Sequence, residues 1–322
     1  MDFSLIIIIF FILSLIIAFA IGANDESFAT VYGSRTLTMK QLLVLTTILA
    51  IAGAFILGEA VSETVGKEIL KTEVTNAVVI TILISTATWL IISAAFGLPI
   101  STTHATIGAV IGLGLFFGGF EGLKWGTVIE MSAWWLLSPL IGYVATYISY
   151  KLVHKKVINK LNGLDDFEKT EKQFSYLLLL TICITAFSRA GNDTSNAVGI
   201  LTGIEEININ FALLIVGISF ALGIIVLGRN VIRNVGSITE LRPSTAFAAE
   251  FPTTIILFVG TMLGIPLSGS HMLVASLVGL SRASKSHTQK GLRKIVAAWL
   301  LTFPAAGLFS VIIFVPINNL II

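Results

Sequence analysis

The amino-acid sequence predicts an all-α integral membrane protein built from two inverted-topology repeats, with broken helices or re-entrant hairpins and about 10 to 12 membrane segments. Three observations carry this expectation. Hydrophobic residues make up 55% and charged residues only 12% of the 322-residue chain, against roughly 25% charged in an ordinary soluble domain. Apolar runs of about 20 residues follow one another, the length that crosses a hydrocarbon core as helix, and they lack the two-residue alternation of a barrel strand. The chain also repeats itself: GLPISTTHATIGAVIG at 97–112 returns as GIPLSGSHMLVASLVG at 264–279.

Taken in order, residues 4–22 form the first apolar segment. No Lys or Arg precedes it, so it reads as a retained span and not a leader. It runs into GANDESFAT at 22–30, which places Asn24, Asp25 and Glu26 at or inside the bilayer. Residues 41–58 are the second span, and the mixed stretch after Gly58 is expected to lie along the interface. Residues 75–97 and 100–118 are the third and fourth, joined by a Gly-x-Pro break. Residues 125–150 are the fifth, with Pro139 expected to kink it. A polar stretch, 151–173, divides a first repeat (1–150) from a second (174–322), where the pattern restarts: an apolar run from Tyr176, AGNDTSNAVG at 190–199, spans near 208–228 and 244–264, the second Gly-x-Pro segment, and a last span near 295–317.

Four anchors recur in the same order at nearly constant offset. Asn24, Asp25, Ser27 and Ala29 match Asn192, Asp193, Ser195 and Ala197; Gly58, Val61, Val65 and Gly66 match Gly228, Val231, Val235 and Gly236. The hydroxyl clusters match each other, and Trp134 with Pro139 matches Trp299 with Pro304. Most of the 20 basic residues fall on one side if 151–173 is cytoplasmic and the chain alternates sides, with both termini outside. An odd number of crossings per half then makes the halves inverted, whether 75–118 and 244–281 are full spans or hairpins.

The motifs suggest chemistry. Pro sits near the first turn of each hydroxyl-rich helix, where its missing N–H costs nothing. The unpaired N–H groups of that turn, with the hydroxyls of Ser101, Thr102 and Thr103 or of Ser268 and Ser270 beside Gly269, suit an oxyanion. Ordinary Ser or Thr capping explains one copy, but two in matching places favour the anion. Asp25 and Asp193 would be hard to bury without a cation, and Asn24, Asn192, Ser27 and Ser195 are hard oxygen ligands suited to Na⁺. Anion and cation side by side, between inverted repeats with helix breaks, is the arrangement of a secondary symporter.

GANDESFA, GNDTSNAVG, Pro99–His104 and 266–271 together resemble the signatures of the inorganic phosphate transporter family, PiT, over essentially the whole chain. The first signature departs at Glu26, Ser27 and Phe28, and the second hydroxyl motif at Gly269 and Ser270. The resemblance implies cation-coupled symport of inorganic phosphate across the cytoplasmic membrane, with Na⁺ or H⁺ as coupling ion, an inverted-repeat fold and a homodimer. It also implies a functional role for Glu250, whose counterpart in the first repeat is Leu83. The implied phosphate site is Ser101, Thr102, Thr103, Ser268, Gly269, Ser270, Asp25 and Asp193. The implied Na⁺ site is Asn24, Asp25, Ser27, Asn192, Asp193, Ser195 and Glu250. Sulfate permease and H⁺-coupled symporter remain alternatives on the same fold.

An anion channel fits less well, because deeply buried aspartates imply tightly held cations while conduction needs weak binding. An enzyme fits worse: there are four His, one Cys and no HExxH. No cofactor other than the coupling ion and no nucleic-acid partner are expected, and a net charge of +2 says little about partners. His104 and His271 are read as helix-start residues before proton relays, Trp125, Trp134, Trp135 and Trp299 as interfacial or packing residues, and Glu130 as structural before functional.

Overall fold

A computed structural model describes residues 3–65, 69–71, 75–198, 208–263, 267–286 and 292–321. Twelve α-helices are found among them, and no strand beyond an isolated bridge between Leu70 and Leu123. In chain order they are α1 (Phe3–Ala23), α2 (Ala29–Gly33), α3 (Met39–Val65), α4 (Asn76–Ala95), α5 (Thr102–Gly118), α6 (Trp125–Lys156), α7 (Leu164–Val198), α8 (Ile209–Gly223), α9 (Arg229–Gly236), α10 (Pro243–Met262), α11 (Gly269–Ser284) and α12 (Leu292–Ile321). A π-helical turn, Ile224–Gly228, joins α8 to α9 without a break. Seven helical stretches among the described residues are long and apolar enough to cross a membrane, and residues 7–23 of α1 form a shorter apolar one.

The burial pattern suits a lipid solvent. Leu136 and Leu300 are each 75% exposed, while Ser14, Thr81, Thr146 and Ser310 are fully buried. Many of the buried hydroxyls give their proton to a backbone carbonyl: Thr81 donates to Ala77 O, Thr146 to Ala249 O, and Ser310 to Gly307 O and Ala109 O. In hydrocarbon such groups have no water to fall back on, so they face inward and pair.

The helices pair as a duplicated chain requires. α1 packs on α8 and α3 on α7; α5 packs on α12 and α6 on α11. Each pairing becomes the other when the repeats are exchanged. Small residues permit the close approach: a Cβ on Gly112 would strike the Gly307 backbone, and one on Gly223 the Phe19 carbonyl. The direction of packing fits the expected inversion. The end of α2, just before α3, meets the end of α9, where Gly33 abuts Gly236, and farther along Gly217 lies on Ile51 and Ala54, and Gly58 on Leu213. As numbers rise in α3 they fall in α8–α9, its counterpart, so the two copies run antiparallel.

The polar stretch 151–173 is mostly helix. α6 runs on to Lys156 and α7 begins at Leu164, with a short 3₁₀ turn and Gly163 at φ 93° between them. Its Lys, Glu and Asp residues are tolerated in solvated helix, so the neighbouring spans extend through it. The mixed stretch after Gly58 is helical as far as Val65; Gly66, like the second Gly-x-Pro break at 264–266, lies outside the described residues. Pro139 sits inside α6, Pro252 inside α10, and Pro304 and Pro316 inside α12.

Candidate functional site: two helix starts around an ion-paired centre

Each hydroxyl motif begins a helix, as its sequence predicts. Ser101 caps α5 by accepting from His104 N at 3.3 Å, and Ser268 caps α11 by accepting from His271 N at the same distance. Both starts lie deep in the protein. Trp299, about 10 Å along α12 from its first residue at 1.5 Å per residue, donates to the carbonyl of Pro99 just before α5. Met272, in the first turn of α11, packs on Gly142 midway along α6. The two starts face each other, with the His104 and His271 rings edge to face at 4.3 Å and walled by Trp135 and Trp299.

The break before α5 is fixed from several directions. Gly97 has φ 65°, a conformation that favours glycine, and Asn234 on α9 donates to its carbonyl at 2.9 Å. Asn24 spans the next residues: its amide donates to Leu98 O at 3.0 Å, and its Oδ1 accepts from Ile100 N at 2.8 Å. A side chain expected to be a cation ligand thus joins the end of α1 to the start of α5.

The acidic residues collect around a cation that belongs to the chain. Arg189, on α7 and 6% exposed, donates through Nη1 to Glu26 Oε1 at 2.6 Å. The same nitrogen lies 3.3 Å from Asp25 Oδ1, and Nη2 lies 3.5 Å from Asp193 Oδ2. Glu26 is fully buried, and its second oxygen accepts from Ser270 at 3.1 Å in the first turn of α11. Asp25 also accepts from Ser27 Oγ at 2.7 Å and Ser27 N at 3.1 Å. Glu250, 1% exposed on α10, accepts from Thr30 at 2.8 Å. Ser195 donates to the carbonyl of Asn192.

The structure therefore brings Asp25, Ser27 and Asp193 together with Ser270 and Gly269, and places Asn24 at the neighbouring α5 start. Glu250 belongs to the same acidic region through Thr30. Thr102 is buried and Thr103 partly so at that start, whereas Glu130 is exposed on α6, away from the cluster. Two central residues carry no assigned role from sequence: Arg189, and Glu26, which is expected at bilayer depth and as a departure from the first signature but without a partner. The available signal was a lone arginine in an apolar run four residues before Asp193, a helical step that puts both on one face. Of the tryptophans expected to be interfacial or packing residues, Trp135 and Trp299 pack on the paired histidines.

A helical bundle with lipid-compatible walls, inverted copies and a buried centre of hydroxyl-capped helix starts and carboxylates is that of a multi-pass membrane transporter. The profile of the phosphate transporter family matches residues 21–310. The chain belongs to the phosphate transporter family, whose members carry phosphate and are not enzymes. It is 26% identical to an inferred phosphate permease of Thermococcus kodakarensis, over 92% of this chain and 94% of that one. It is also 26% identical to the chloroplast inorganic phosphate transporter 2-1 of Arabidopsis thaliana, over 92% and 69%. Among solved structures it resembles a sodium-dependent phosphate transporter with TM-score 0.85 and 27% identity, covering 98% of this chain and 99% of that one.

Proposed function

We propose that this protein is a Na⁺-coupled symporter of inorganic phosphate in the cytoplasmic membrane, working as a homodimer. The observation that carries this reading is the meeting of the α5 and α11 starts beside Asp25, Glu26 and Asp193. A phosphate there loses its water, and each lost hydrogen bond must be replaced by a donor. First-turn N–H groups and the hydroxyls of Thr102 and Thr103 supply donors, joined by Ser270 when its single O–H turns from Glu26 to the anion. Ser101 and Ser268 fix the turns that present them, and Gly269 lets the backbone come close. Phosphate near neutral pH still carries a proton and can donate to a carboxylate, whereas sulfate can only accept. Glu26, held against Ser270, is the acceptor nearest the α11 start, so the carboxylates favour phosphate over sulfate.

The coupling ion belongs with the same acidic region, where Asp25, Ser27, Asn192, Asp193, Ser195 and Glu250 are oxygen donors. The sodium dependence in the name of the solved relative supports Na⁺ over H⁺. We take residues 1–150 and 174–322 as the two repeats and 151–173 as a cytoplasmic connection, with both termini outside. On that orientation a cavity of about 890 Å³, lined by Tyr32, Arg35, Arg233 and Thr239 among others, opens toward the cytoplasm.

Reconstitution tests the function. In proteoliposomes an imposed Na⁺ gradient should drive labelled phosphate above equilibrium, with sulfate a poor competitor. Uptake that only equilibrates, or that follows a proton gradient without Na⁺, would contradict it. Orientation is tested separately: after Cys183→Ala, a cysteine at Asn162 should react only from the cytoplasm and one at Asn319 only from outside, and reaction of both from one face would refute the topology.

A further inference from the structure

Three positions at which the repeats differ touch one another at the centre of the protein. Arg189 stands where the first repeat has Ile21, Glu26 where the second has Thr194, and Gly269 where the first has Thr102. Arg189 and Glu26 are joined at 2.6 Å, and the guanidinium also reaches the aspartate of each repeat. Gly269 makes the space: a Cβ there would lie 2.7 Å from Arg189 Nε and 3.0 Å from its Cζ. None of the three departures works alone. Arg189 without Glu26 leaves more positive charge on the aspartates, Glu26 without Arg189 is a buried unpaired carboxylate, and Thr at 269 would push the guanidinium away.

We propose that the Arg189 guanidinium is a tethered cation that replaces one coupling ion between Asp25 and Asp193, with Glu26 as its fixed counter-charge. This rests on the symport reading above. Two carboxylates from opposite repeats, Asp25 buried and Asp193 partly so, need positive charge between them, and a single cation within about 3.5 Å of one oxygen of each supplies it. Arginine cannot lose its proton in a protein and presents a fixed fork of donors, so it serves as a permanent occupant. A free cation at that point would meet the guanidinium at contact distance, and repulsion would exclude it. Both Nη groups face carboxylates. Nε, without a hydrogen-bond partner, lies against Gly269, while the tips of the fork are held by the acidic residues. Coupling cations then bind on the far side of the cluster, toward Ser195 and Glu250, and the protein moves one fewer per phosphate than its scaffold would allow without the arginine.

The test exchanges each residue for its repeat counterpart. Arg189→Ile with Glu26→Thr removes one positive and one negative charge together and exposes Asp25 and Asp193 to the medium's cations. In proteoliposomes the Na⁺ to phosphate flux ratio of this paired variant should exceed the wild type's by about one, because the place between the two aspartates that the guanidinium fills is then open to a mobile cation. An unchanged ratio in a transporting variant overturns the proposal, and so does an unchanged ratio with a tenfold higher phosphate KM, which would assign Arg189 to the anion. A wild type that ignores Na⁺ and follows protons contradicts the sodium reading alone, and the same comparison is then made as protons per phosphate. Should the pair not transport, purified Arg189→Gln and wild type are compared for thermal stabilisation by Na⁺ against K⁺ in detergent. A larger Na⁺-dependent rise in Tm for the variant is expected, and an equal rise refutes the tethered cation.

Discussion

At the start of α5 the chain is held by neutral groups: Asn24 clamps Leu98 and Ile100, Asn234 holds Gly97, and Trp299 holds Pro99. At the start of α11 the neighbours are charged, with Glu26 on Ser270 and the Arg189 guanidinium over Gly269. Cap, histidine and depth are alike at both. A duplicated scaffold thus fixes two equivalent helix ends, and a few substitutions give one a neutral and the other an ion-paired setting. Such division is inexpensive for the fold, because the caps and helix packing that build each end are made by other residues.

The sharpest way to break the charged end is to remove one partner of its ion pair. Glu26→Ala strands a buried guanidinium beside the remaining carboxylates and should cost about 3–5 kcal/mol of stability. Adding Arg189→Met should recover most of that loss in a double-mutant cycle, read as Tm in detergent; independent, additive losses would mean that the pair is not a unit.

Making the two ends alike should cost less. Gly269→Thr, the residue of the first repeat, overpacks the guanidinium, for about 1–3 kcal/mol, and transport should fall with it. Adding Arg189→Ile should restore the stability, while a Gly269→Thr protein as stable as wild type would show that the guanidinium does not depend on that space. The neutral end has its own sensitive point: Gly97→Ala forces a side chain into a left-handed backbone and toward Asn234, for about 1–2 kcal/mol. The smallest effects are the caps. Ser101→Ala and Ser268→Ala should each lose about 1 kcal/mol, and equally, since each accepts one bond of the same length; a clear inequality would break the equivalence of the two scaffolds.

The sequence showed what is local or repeated. Hydropathy gave the spans, the Ser-x-x-His motifs gave both helix starts, and the offset of Asn24–Asp25 from Asn192–Asp193 pointed to a duplication with which the helix pairing is consistent. It showed less where function depends on residues far apart in the chain. Glu26 and Arg189 are separated by 163 positions, and each alone looks like an isolated oddity in an apolar segment. Read together as the two charged departures from the repeat, they would have suggested each other. Asn24 illustrates a different limit: its type fits a cation ligand and a backbone clamp equally, and only the position of Leu98 and Ile100 shows the clamp. The polar run at 151–173 read as a connection because charge suggests solvent, but charge does not forbid helix, and α6 and α7 continue through most of it.

The account stands most directly on whether the two facing helix starts hold the substrate. Phosphate binding to purified wild type, Thr102→Ala, Thr103→Val and Ser270→Ala, at fixed Na⁺, measures this. A hydroxyl that donates to a charged anion contributes about 1.5–3 kcal/mol, so a substitution facing the phosphate should weaken binding roughly ten- to hundredfold. Because the first-turn N–H groups survive every side-chain change, binding should weaken without vanishing. Phosphate affinities within about twofold of wild type in all three variants would mean that the paired starts are structural ends only and that phosphate binds elsewhere.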